Sequence, residues 1–204
     1  MLTTALMDEL WDALRSVGAP VVDHARPGLG YMQMRALTEP VGLSLPDEAV
    51  VWWSYHDGTD APEGMPSRAI SPSQTLLSLE EALSRRRMLR DVNRVTGDQV
   101  RGKGKLWPEL WEDTWLPILT WDGPTIVIDC ADNCGRITPI RRIEFGDLSS
   151  EQIHEIRAPS IGAMVHMWIG AIREHVWKWD TATGNWSYDY VKDMPLDWKL
   201  TAFM

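Results

Sequence analysis

The sequence has little phenylalanine and cysteine, two residues of each, and no apolar run approaches the roughly 20 residues that span a bilayer. Cys130 and Cys134 are too few for a disulfide framework. They also lack the second Cys pair or closely spaced His partners of a zinc site. Residues 1–18 carry three carboxylates and no basic segment, unlike a secretory signal peptide. These absences predict a cytoplasmic protein without metal, cofactor or membrane association.

Sequence signals for catalysis and nucleotide binding are incomplete. Residues 97–103 match the first seven positions of a phosphate-binding loop, but Gly104 stands where the magnesium-binding Ser or Thr belongs. An arginine-rich segment precedes these residues, whereas a phosphate-binding loop follows a buried strand. No Ser or Cys is placed by the sequence to act with a histidine as an activated nucleophile. A hydrolase using His56, Asp57 and another carboxylate is the alternative to a non-enzymatic protein.

Tryptophan and acidic residues are abundant. The chain has 12 Trp and a net charge of −9. Residues 1–66 hold 10 acids and 3 bases, net −7; residues 67–105 hold 4 acids and 9 bases, net +5; and residues 106–204 hold 15 acids and 8 bases, net −7. Nucleic-acid binding by the whole chain is disfavoured, since phosphates need a basic face. The acidic blocks favour a basic protein partner, or serve solubility alone.

Apolar periodicity and capping signals predict the helices. They are expected at 3–17, 46–56, 79–95 and 160–176, with a short helix or turn-rich segment at 28–38. Ser78 and Glu81 form a capping-box pattern for the third of these. Gly58 is expected to stop the 46–56 helix. The charged stretch from Arg85 to Arg94 is expected to cover the outer face of its helix, and residues 97–105 to form a polar loop.

The most informative stretch is WPELWEDTWLPILTWDGPTIVID, residues 107–129. Trp107, Trp111 and Trp115 are spaced by four and predict one face of a short helix. Asp122-Gly123 then predicts a hairpin turn between two apolar strands. A strand near 137–145 and a C-terminal Trp/Tyr-rich hairpin complete an α+β fold, a single domain over residues 1–204 with a core of about 1–176.

Several separated motifs resemble the SUKH superfamily, which includes fungal cell-wall-assembly regulators and bacterial toxin-immunity proteins. They are Leu45-Pro46-Asp47-Glu48, Trp111…Trp115-Leu116-Pro117-Ile118-Leu119, Gly123…Ile126-Val127-Ile128-Asp129 and Ala158-Pro159-Ser160-Ile161. His56-Asp57-Gly58 departs from the usual Asn-Gly helix end. The segment from Cys130 to Gly135 replaces a Gly-rich loop.

The resemblance implies a mixed or antiparallel sheet packed by helices, no catalytic residues and a protein-binding role. An immunity-type protein that docks on a basic, nuclease-like toxin domain is the leading hypothesis, and a regulatory scaffold is the alternative. The family pattern makes Trp111 and Trp115 mainly structural. The candidate contact residues are Asp57, Asp60, Glu63, Trp107, Glu109, Glu112, Asp113, Trp121 and Asp122. The sequence leaves the oligomeric state and the function of the arginine-rich face open.

Overall fold

The structure is a computed structural model that describes residues 1–72, 74–103, 111–120, 125–131, 138–143 and 156–189. The helices are α1 (Thr4–Ser16), α2 (Val21–His24), α3 (Tyr31–Thr38), α4 (Asp47–Tyr55), α5 (Leu79–Gly102) and α6 (Ile161–Arg173). The strands are β1 (Ala25–Pro27), β2 (His56–Thr59), β3 (Ala69–Ser71), β4 (Gln74–Leu76), β5 (Trp115–Thr120), β6 (Thr125–Asp129), β7 (Ile140–Ile143), β8 (Ile156–Ala158), β9 (Trp177–Asp180) and β10 (Asn185–Tyr188).

Strands β3 to β8 form one six-stranded antiparallel sheet in sequential order. The pairing of β5 with β6 places Trp115 opposite Asp129 and Thr120 opposite Thr125. This register confirms the predicted hairpin, although its Asp122-Gly123 turn lies outside the described residues. A register shift between Pro117 and Leu119 accommodates a proline within a paired strand.

Both faces of this sheet are buried, which confirms the α+β architecture. Ile126 and Ile128 of β6 join the main apolar core, to which α1, α4 and α6 contribute. The intervening Val127 points to the opposite face, where it clusters with Leu89 of α5. The apolar sequence of β6 therefore packs between two helical layers, and among the described helices α5 lies on the side of Val127.

Helix boundaries follow local capping chemistry. Thr3 and Ser160 cap α1 and α6 through their side-chain oxygens, as expected for N-cap residues. The predicted capping box of α5 is confirmed: the Ser78 side chain accepts from Glu81 N–H, and the Glu81 carboxylate accepts from Ser78 N–H. Pro46 precedes α4 in an extended conformation.

Three local predictions are wrong. Helix α5 continues to Gly102, so residues 97–102 are helical and do not form a polar or phosphate-binding loop. Gly58 lies within β2 with a φ of 73°, and α4 ends earlier, at Tyr55. Residues 111–114 are not helical and Trp115 begins β5, so the Trp111–Trp115 spacing does not mark a helix face. Trp107 lies outside the described residues.

The predicted C-terminal hairpin is confirmed by β9 and β10, which pair antiparallel with Trp179 opposite Trp186. The hairpin is attached to the rest of the domain at two points. Trp177 is buried in the main core beside Trp168, with ring centroids 6.1 Å apart. Trp186 Nε1 donates a hydrogen bond to the Ala69 carbonyl of β3 at 3.1 Å.

Candidate functional site

An aromatic cluster joins α1 to the end of α4 and the start of β2. The Trp11 ring lies 5.4 Å from Tyr55 and 4.6 Å from His56, measured between centroids. The Tyr55 hydroxyl donates to Asp8 Oδ1 at 2.7 Å. Burial, followed by the nearby Asp8 carboxylate, raises the pKa of Tyr55 to about 12. The tyrosine is therefore a neutral donor at physiological pH, and it holds a carboxylate at the surface.

Exposed carboxylates occur on α1 and in the loop after β2. Asp12 is one turn beyond Asp8 on α1, and its side chain is 76% exposed. Asp60 follows β2; its side chain is 69% exposed and lies 3.0 Å from His24 Nδ1. Glu63 is exposed in the same loop. We refer to Asp8, Asp12, Asp60 and Glu63 as the acidic patch. Two of these residues, Asp60 and Glu63, are contact residues predicted from the sequence.

Asp57, another predicted contact residue, is 8% exposed and bonds to other parts of the fold. Its Oδ1 accepts from Leu79 N–H at the start of α5, and its Oδ2 accepts from Arg26 Nη2 at 3.0 Å. Burial raises the pKa of Asp57, against the effects of the Leu79 hydrogen bond and the Arg26 charge. The prediction of a surface contact at Asp57 is corrected, because its carboxylate is engaged internally.

His56 precedes Asp57 on β2, and adjacent strand residues point to opposite faces. The His56 ring packs on Trp11, and its Nδ1 lies 2.9 Å from the Arg26 carbonyl oxygen. Burial lowers the pKa of His56 from 6.5, in spite of the opposing hydrogen bond to Arg26. Both side chains of the proposed hydrolytic pair thus have contacts within the fold, and the His56 imidazole tends to be neutral.

The lowered pKa of His56 predicts acid sensitivity. As the pH falls through 6.5, the unfolded chain binds a proton at this position before the folded chain does. The free energy of unfolding therefore decreases as the pH decreases. We expect the free energy of unfolding to drop more between pH 7.5 and pH 5.5 in the wild type than in His56→Gln. Chemical denaturation at both pH values measures this difference. An equal or smaller drop in the wild type contradicts the prediction.

The segment directly before β5 lies against α5. Arg90 Nε contacts Asp113 Oδ1 at 2.9 Å, and Arg86 donates to the Asp113 carbonyl. Glu112 is exposed. Of the predicted contact residues Glu112 and Asp113, the second is therefore paired with a basic helix. The other predicted contact residues of this region, Trp107, Glu109, Trp121 and Asp122, lie outside the described residues.

The arginines of α5 are expected from the sequence to cover its outer face, but not all of them do. Arg86 is 5% exposed, and burial followed by repulsion from Arg90 lowers the pKa of its guanidinium. Arg87, Arg90 and Arg94 are exposed and line a cleft of about 350 Å³ together with Trp111. The structure thus places a basic cleft on α5, opposite in charge to the acidic patch.

Glu48 has a structural role that the sequence does not indicate. Its carboxylate is 0% exposed and accepts from the backbone N–H groups of Leu2, Thr138, Ile161 and Gly162, at 2.5–3.2 Å. The only local signal is its position beside the buried Ala49 and Trp52 on α4. The donors come from distant parts of the chain, so no spacing in the sequence identifies them.

No group of three or more His, Cys, Asp or Glu side chains suited to a metal ion occurs within the described ranges. Cys130 is buried, and Cys134 lies outside those ranges. None of the described helices has an apolar stretch long enough to span a bilayer. No protein-family model matches the chain, and no curated protein is significantly similar to it.

Proposed function

We propose that the chain is a non-enzymatic protein-binding module of the immunity type, which neutralises a basic, nuclease-like toxin domain by docking on it. The observation that supports this most is the acidic patch, whose Asp8 carboxylate accepts a hydrogen bond from Tyr55 of the Trp11–Tyr55–His56 cluster. Aromatic side chains next to a charged rim are typical of protein interfaces. The rim charges would accelerate encounter with a basic partner.

The contacts of His56 and Asp57 support a binding protein over a hydrolase. Asp57 secures the start of α5 through Leu79, and His56 packs on Trp11, so both have structural tasks. Asp8 and Asp60 also have partners, Tyr55 and His24, but these carboxylates remain exposed at the surface. Their exposure leaves them able to contact a guanidinium or ammonium group on another protein.

Affinity capture from an extract of the source cells tests the proposal. The tagged chain is expected to retain a basic protein at about 50 mM salt and to release most of it at about 300 mM, since rim charges are screened. Charge reversal of the patch (Asp8→Lys, Asp12→Lys, Asp60→Lys and Glu63→Lys combined) is expected to weaken capture at least about tenfold. Purified toxin-domain activity, with and without the chain, then measures neutralisation.

Glu39→Lys is the matched control, because Glu39 is an exposed acid outside the patch and interacts locally with Arg35. It is expected to leave capture nearly unchanged. If the quadruple variant retains the same partner as the wild type at low salt, the acidic patch is not the docking surface. If the captured partner is acidic, or its activity is unaffected by the chain, the immunity-type function is wrong.

A further inference from the structure

Helix α5 carries a second charged surface, of opposite sign, that the proposed function does not use. Leu89 and the partly exposed Asn93 lie on the side of α5 that faces the sheet. Arg87, Arg90 and Arg94 follow the i, i+3, i+7 spacing of a single helix face and lie together on one flank of that side. The three guanidinium groups therefore project from neighbouring turns.

This basic flank forms one wall of the cleft, and Trp111 and Asp113 line it from the segment before β5. The cleft volume of about 350 Å³ lies within the range of small-molecule sites. Asp91 and Asn93 also line it. The site is thus a concavity between a helix and a neighbouring segment, unlike the isolated arginines of a convex surface.

The charges of the cleft are only partly compensated. Arg90 lies 2.9 Å from Asp113 Oδ1, and Arg94 lies 3.8 Å from Asp91 Oδ1. Arg87 has no ion pair with any residue that the structure describes. Three guanidinium groups against two carboxylates leave a positive excess, and the buried Arg86 adds to it from the adjacent turn.

Trp111 brings an aromatic side chain into the lining of the cleft. Its indole is 7% exposed, and its Nε1 is buried without a hydrogen-bond acceptor among the described residues. Buried indole N–H groups usually have an acceptor, and an unsatisfied one costs free energy. The indole also adds apolar surface to the cleft, and an oxyanion seated there would compensate the arginines.

We propose that this cleft binds a compact polyanion, a small molecule that carries a diphosphate group. Guanidinium groups bind phosphate oxygens in bidentate geometry, which suits three arginines on adjacent turns. An acidic protein segment laid along the helix fits less well. It would extend along α5 past the arginines to the exposed Asp98, and like charges repel.

Calorimetric titration of the intact chain with inorganic pyrophosphate tests the site. One saturable site is expected, and Arg87→Gln and Arg94→Gln are each expected to weaken it about tenfold, the equivalent of one charge-assisted hydrogen bond. In parallel, the indole N–H resonance of Trp111 is expected to shift on titration in a nitrogen-15 NMR spectrum. Thermal unfolding establishes that the variants remain folded.

Arg15→Gln is the matched control, since Arg15 is 61% exposed on α1 and pairs locally with Asp12. It is expected to bind pyrophosphate as the wild type does. Heat no greater than that of sodium chloride at equal ionic strength overturns the proposal, as does equal weakening by Arg15→Gln and Arg87→Gln. Binding that neither cleft variant affects also overturns it. Tighter binding of a polyglutamate peptide, with the same dependence on Arg87, would assign the cleft to an acidic protein partner instead.

Discussion

Replacing Glu48 by glutamine is expected to lower the free energy of unfolding by about 3–5 kcal/mol, the range for breaking a buried charged network. The carboxylate is fully buried and accepts from the backbone N–H groups of Leu2, Thr138, Ile161 and Gly162. Glutamine keeps one acceptor oxygen but turns an NH₂ donor towards the remaining N–H groups. Those groups are then buried without an acceptor. Urea denaturation at pH 7 measures the loss.

Asp47→Asn is the matched control for this prediction. Asp47 is the neighbouring acid in the first turn of α4, but its side chain is exposed. Removal of its charge is expected to cost less than about 1 kcal/mol, the usual size of an exposed helix-dipole interaction. A similar loss for Asp47→Asn and Glu48→Gln would show that the buried network contributes little. The loss in both variants would then be the helix-dipole interaction that any acid in the first turn of α4 provides.

The second large effect is expected from Gly58→Ala, at about 2–5 kcal/mol, since strain and overpacking add. Gly58 has a φ of 73°, which side-chain-bearing residues adopt only at a cost. A Cβ at this position would lie 2.5 Å from Ser78 N and 2.9 Å from Ser78 Cα. Backbone atoms at the start of α5 would have to move. We expect the same substitution to weaken pyrophosphate binding, because α5 carries the cleft arginines.

Gly64→Ala separates the two contributions. Gly64 has a similar φ of 79°, but a Cβ there meets nothing within 4 Å. Its substitution is expected to cost about 1–2 kcal/mol, from the backbone conformation alone. Thermal and urea unfolding of both variants give the difference, which reports the close approach of β2 to Ser78. Equal losses would mean that the start of α5 adjusts to the added methyl group.

Local signals in the sequence predicted much of the fold, because they concern residues close together in the chain. Ser78 and Glu81 identified the start of α5, and the apolar strands around Asp122-Gly123 identified the β5–β6 hairpin. The spacing of Trp111 and Trp115 was misleading. Both indoles are buried, with ring centroids 5.9 Å apart, yet Trp115 belongs to a strand. Trp111 lies before the strand, so the two rings meet across the turn at residues 113–114 and not through the periodicity of one element.

The candidate surfaces were less predictable, because they depend on contacts between distant residues. Asp57 and Asp60 are three residues apart and similar in the sequence, but only the first is buried, against Leu79 and Arg26. The split of the α5 arginines into the buried Arg86 and the exposed cleft residues likewise depends on the sheet beneath them. Charge counts identified a basic segment, but not which of its guanidinium groups face solvent.

The hydrogen bond from Trp186 to Ala69 has a consequence for self-association. Strand β3 lies at one edge of the six-stranded sheet, and edge strands with unpaired backbone groups recruit strands from other molecules. The indole N–H occupies a carbonyl of this edge, and its bulky ring lies beside the strand. We therefore expect the C-terminal hairpin to hinder the addition of another strand at this point.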